Sequence, residues 1–129
     1  MTLKILIIDD DPDFREAMAT LLEARGYDVE TASNGTEGMD KAARIMPALI
    51  LLDVMMSGKT EGFEVARKLN SEETLKDIPV IMTTGIRKDM NLPFGFEPDE
   101  KTLPVKAVLE KPVKPETLLS AVEEYIAKR

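Results

Sequence analysis

The 129 residues carry 17 Lys and Arg against 24 Asp and Glu, a formal net charge of −7, with 43% hydrophobic and 32% charged residues. That length and mix describe one soluble globular domain over residues 1–129, and the acidity argues against a nucleic-acid surface built on clustered Lys and Arg. Cysteine and histidine are both absent, which removes disulfides, thiolate chemistry, the commonest general base and any phosphohistidine.

In chain order, Leu3–Ile8 (LKILII) reads as a buried strand. Asp11 then reads as an N-cap and Pro12 as the first helical residue. Phe14, Met18, Leu21 and Leu22 recur at helical spacing, and Gly26 marks the helix end. Asp28–Ala32 is a weaker strand, and Thr36–Ile45 a helix stopped before Pro47. Ala48–Leu52 (ALILL) is apolar at every position, the pattern of a strand covered on both faces, and Asp53 sits at its end. It is the longest apolar run, far short of the roughly 20 residues of a membrane span. The N-terminus does not read as a signal peptide, so a cytoplasmic protein without membrane contact is expected.

Gly62–Asn70 reads as a helix and Pro79–Gly85 as a fourth strand. Val105–Pro112 holds a fifth, and Pro115 opens a last helix with Leu118, Val122, Tyr125 and Ile126 on one face. Alternating strands and helices predict an α/β fold, a parallel sheet with helices on both faces. The segment 86–104, interrupted by Pro93, Pro98 and Pro104, predicts a short or degenerate fourth helix.

In such a sheet, function gathers at the carboxyl ends of the strands. Those ends carry Asp9, Asp10 and Asp11, then Asp53, then Thr83 and Thr84, then Lys111. The run ILIIDDDP (Ile5 to Pro12) sets three carboxylates where the core ends, and like charges there repel. A hard cation with oxygen ligands relieves that repulsion, and Mg²⁺ suits it best. Taken singly, each residue has an ordinary role, as helix cap, turn residue, strand hydroxyl or surface charge; Asp11 fits the cap role best. The joint pattern, one type at each strand end, is what points to a site.

The pieces ILIIDDDPDFRE, LILLDVMMSG, GFEVARKL, IPVIMTTG and VLEKPVKPETLLSAV together resemble the receiver domain of two-component response regulators, over essentially the whole chain. The resemblance implies a flavodoxin-like doubly wound fold with strand order 2-1-3-4-5. Asp53 would be the phospho-acceptor and also a ligand of the Mg²⁺ held by the acidic pair Asp9 and Asp10, with the Met55 backbone carbonyl as a fourth ligand. Thr84 would be the switch hydroxyl, and Lys111 the lysine that contacts the phosphoryl group, followed by a cis bond to Pro112. A sensor histidine kinase or phosphotransfer protein would be the phosphoryl donor in bacterial signalling. The downstream target is not specified, and a homodimer through the fourth helix, fifth strand and last helix is among the assemblies the resemblance allows.

The chain departs from the family at Val108, where an aromatic switch residue is frequent, at Ser57, at the loop through Lys59 and Thr60, and over 86–104. Met55 and Ile86 flank the acceptor and the switch threonine, where they would crowd out a hydrolytic water, so slow self-dephosphorylation is expected. Because Arg129 ends the last helix, no output domain is expected on this chain, which would be a stand-alone regulator, a phosphorelay intermediate or a receiver cut from a longer chain. The alternative reading is an aspartate-nucleophile phosphohydrolase, which usually needs a second acid where Met55 stands. FMN binding suits the fold, but three aspartates in the first loop would repel the phosphate.

Overall fold

The computed structural model of the chain describes residues 2–54, 61–85 and 105–126. Within them run β1 (Lys4–Ile8), α1 (Pro12–Glu23), β2 (Asp28–Ala32), α2 (Gly35–Ile45), β3 (Leu49–Asp53), α3 (Glu61–Ser71), β4 (Val80–Thr84), β5 (Ala107–Glu110) and α4 (Pro115–Tyr125). Several sequence expectations fall outside the described residues: the degenerate helix of 86–104, Met55, Ser57, Lys59, Thr60, and Arg129. No helix among the described residues is long and apolar enough to cross a membrane.

The five strands form one parallel sheet in the order β2-β1-β3-β4-β5, as the resemblance implied. β3 and β4 are buried at every residue and β1 at all but its first, whereas the edge strands β2 and β5 are mostly half-exposed. This is why ALILL is uniformly apolar while DVETA is not: a central strand is covered on both faces. Side chains alternate between two cores. Leu6, Ile8, Ile50, Leu52, Val80 and Met82 pack with residues of α2 and α3. Ile5, Ile7, Leu49, Leu51 and Ile81 pack with α1 and α4.

Local chemistry sets the helix ends. Asp11 caps α1, accepting from the amides of Asp13 at 3.0 Å and Phe14 at 3.4 Å, with Pro12 in the first turn. The helix stops at Glu23 with Ala24 as its cap; Gly26 instead takes the left-handed conformation (φ 91°) in the turn that follows. α2 begins at Gly35, one residue before the predicted start. Asn34 caps it by accepting from the Glu37 amide at 2.8 Å, while the Glu37 carboxylate reaches back to the Ser33 amide at 2.6 Å.

Candidate functional site

The order of the strands reverses between β1 and β3, and in an open parallel sheet the crevice outside that reversal is the place for a site. The register pairs Ile8 with Leu52, so the next residues along, Asp9 and Asp53, fall side by side. Asp9 keeps step because its amide still donates to the Ala32 carbonyl at 3.0 Å. A one-residue slip of either strand would turn its carboxylate to the opposite face.

Burying two carboxylates is costly unless each finds a counter-charge or donors. Asp9 is fully buried and Asp53 is 3% exposed. Asp9 accepts from the Asp11 amide at 2.9 Å and pairs with Lys111 Nζ at 3.0 Å. The same ammonium lies 3.6 Å from Asp53 Oδ1. It arrives from the far edge of the sheet, where the Lys111 amide donates to the Thr84 carbonyl at 2.7 Å, and the Lys111–Pro112 bond is cis.

Asp10, exposed, completes an acidic group: one carboxylate oxygen each of Asp9, Asp10 and Asp53 lie within 4.8 Å of one another. Three formal negative charges against the one of Lys111 leave a surplus of two. Oxygen-only donors with that surplus fit a hard divalent cation such as Mg²⁺. The expected fourth ligand, the Met55 carbonyl, lies outside the described residues.

Thr84 ends β4 and is 3% exposed. Its neighbour Thr83 pairs with Asp53 across the β3–β4 ladder. Thr83 is fully buried and its Oγ1 has no hydrogen-bond partner among the described residues. Val108 packs at the rim of the α2/α3 core. The predicted residues Asp9, Asp10, Asp53 and Lys111 are therefore brought together, and Thr84 stands at the neighbouring strand end.

Three further residues shape the site that sequence reasoning did not assign to it. The Phe14 ring lies 4.2 Å from Lys111 Nζ, measured to the ring centroid. Arg15 Nη1 donates to the Asp9 carbonyl at 2.7 Å. Gly62, in the first turn of α3, donates its amide to the Val54 carbonyl at 3.0 Å. A Cβ there would clash with the Asp53 carbonyl oxygen and lie 2.5 Å from Val54 Cα, so only glycine allows this approach. The available signal was position: the first turn of a helix that starts at the crevice faces the crevice.

Comparison with known proteins agrees with this fold. A family model described as the response regulator receiver domain matches residues 5–123. The chain is 32% identical to the protein PilH of Pseudomonas aeruginosa over 124 residues, covering 96% of this chain and 98% of that one. It is 40% identical over 94 residues to the DNA-binding dual master transcriptional regulator RpaA of Synechocystis, covering 73% of this chain and 39% of the relative. For the CpxR homolog of Haemophilus influenzae the share is 56%, so this chain spans only part of these two relatives. Among solved structures it is similar to the chemotaxis protein CheY4 of Vibrio cholerae, with TM-score 0.81, 29% identity, and coverage of 98% and 100% of the two chains.

Proposed function

The chain belongs to the response regulator receiver domain family, and from that premise we propose that it is a phosphorylation-controlled signalling switch with Asp53 as acceptor. The observation that carries this reading is the buried Asp53 carboxylate with Asp9 and Asp10 carboxylate oxygens within 4.8 Å and Lys111 Nζ 3.6 Å away. The donor is a sensor histidine kinase or a phosphotransfer protein, and the location is the cytoplasm, where such donors present their phosphohistidine.

In the transfer, an Asp53 carboxylate oxygen forms a bond to phosphorus as the bond from phosphorus to the donor atom breaks, the electron pair leaving with the donor. The obstacle is that acceptor and phosphoryl group are both anionic. Lys111 counters that charge as a fixed cation, and burial strengthens its effect. Asp9, Asp10 and Asp53, with the Met55 carbonyl, would hold Mg²⁺, which when bound would offset the remaining negative charge on the acceptor and the phosphoryl oxygens. The acyl phosphate then offers new acceptor oxygens to the Thr84 hydroxyl, and an inward movement of Thr84 couples the modification to the surrounding surface. Turnover of small phosphate esters is not part of this role.

The test is intact-mass measurement after incubation with acetyl phosphate and Mg²⁺. The expected result is a single labile phosphate that disappears in Asp53→Asn and requires the metal. Steady release of phosphate from many monoesters, without a stable adduct, would favour a hydrolase instead.

A further inference from the structure

Lys111 ends in a flexible chain of methylenes and its side chain is 23% exposed, so something must keep its ammonium over the acceptor. Among the described residues, two of the three groups close to it are carboxylates, Asp9 at 3.0 Å and Asp53 at 3.6 Å. The third is the face of Phe14, 4.2 Å from Nζ to the ring centroid. We propose that Phe14 is a positioning residue for phosphoryl transfer, its ring holding the Lys111 ammonium over the gap between Asp9 and Asp53. This rests on the reading of Asp53 as acceptor.

The three neighbours are not equivalent. Any cation gathered by Asp9 and Asp53 repels the ammonium and weakens their hold on it. The ring is neutral and attracts the ammonium through its quadrupole, so it keeps its hold in either condition. It also adds no negative charge where an anionic phosphoryl group must approach, as a carboxylate at position 14 would. The ring itself is well anchored. The Phe14 amide donates to the Asp11 cap, Arg15 ties the same turn to the Asp9 carbonyl at 2.7 Å, and the ring packs at the rim of the α1/α4 core. Ring and buried carboxylate thus belong to one rigid turn.

The experiment measures the rate of phosphorylation by acetyl phosphate at saturating Mg²⁺, with melting curves to establish folding. Phe14→Leu keeps apolar bulk and removes the π face; it should slow the reaction about threefold to tenfold, and Phe14→Tyr should restore it. In a Lys111→Met background, Phe14→Leu should change nothing further, because the two act through one contact. Pentafluorophenylalanine at position 14 keeps the shape and reverses the quadrupole, so it should slow the reaction as leucine does. Equal losses in both backgrounds, or a normal rate with the fluorinated ring, would overturn the proposal. In the metal-free protein, the Lys111 ε-methylene protons should show an upfield ring-current shift in NMR spectra that Phe14→Leu abolishes; its absence would equally overturn it. A wild-type protein that shows this shift yet takes no phosphate would instead overturn the reading of Asp53 as acceptor.

Discussion

On the α1/α4 side of the sheet, the strand rows run Ile5, Ile7, Asp9 and Leu49, Leu51, Asp53: apolar to the last step, then charged. On the α2/α3 side, the intervening residues run Leu6, Ile8 and Ile50, Leu52, Val54, apolar to the end. The strands are the same and only the parity differs. Strand alternation sends Asp53 and its acidic neighbour Asp9 to one side of the sheet, toward Phe14 and Lys111, and leaves the other side as packed core with Thr84 at its rim. Charge is thus concentrated where a helix start can support it, while the opposite side keeps the rigidity that fixes the backbone beneath Asp53. Under the proposed function, acceptance of a phosphoryl group belongs to the first side and transmission of its effect to the second.

The division can be broken outright at one residue. Asp53→Asn should abolish acetyl phosphate labelling altogether while the protein still melts cooperatively, because the α2/α3 core is untouched; residual labelling at another residue would dissolve the comparison. Next in size is Gly62→Ala, from the apolar side. The added methyl meets the Asp53 and Val54 backbone, which should cost about 1–3 kcal/mol in chemical denaturation and slow labelling as well, since the acceptor must shift. A loss of stability with an unchanged labelling rate would show that the two sides are mechanically independent.

Mg²⁺ should act on the charged side alone. At ten times its Kd it should raise stability by about 1.4 kcal/mol, and Asp10→Asn should reduce that gain; melting curves indifferent to millimolar Mg²⁺ would contradict the acidic site. Thr83→Val replaces the buried hydroxyl that has no partner among the described residues, and should stabilise the protein by about 1 kcal/mol, read as a higher denaturation midpoint.

The smallest effect belongs to the α2 cap. The Ser33 backbone amide, donating to Glu37, holds this carboxyl below the ordinary glutamate value, assisted by the Ser33 hydroxyl, Lys41 and Arg15, against a partial opposing effect of burial. A lowered folded-state value means stability that is fully present above pH 4.5, the ordinary value, and lost as pH falls through the lower one. Glu37→Gln should flatten stability against pH in that acid window and leave neutral-pH labelling unchanged.

The residues that declare themselves locally were legible in the sequence. Asp11 with Pro12 marks a helix start because capping and a fixed φ act within one turn. ALILL marks a central strand because every position must be apolar when both faces are covered, and carboxylates after two strands mark a crevice in any open parallel sheet. Family resemblance supplied the strand order, which the sheet bears out, and the roles proposed for Asp53, Thr84 and Lys111, none of which periodicity encodes. Phe14 read as one more apolar residue in a helical stripe, since nothing nearby in sequence distinguishes a ring that packs from one that also faces an ammonium. Gly62 offered only its position, in the first turn of a helix that starts at the crevice, and nothing local that marks its contact with the Asp53 backbone.

The sequence by itself determined the elements, their caps and the inventory of charged groups, all set by interactions spanning a few residues. Only the tertiary structure decided which groups meet. Asp9 and Lys111 stand 102 positions apart, and their contact exists because β1 pairs with β3 in one register while β4 and β5 carry the lysine back to the same edge of the sheet. Register is a sum over many weak strand contacts and two packed cores, a global minimum rather than a local preference, so no short stretch of sequence contains it.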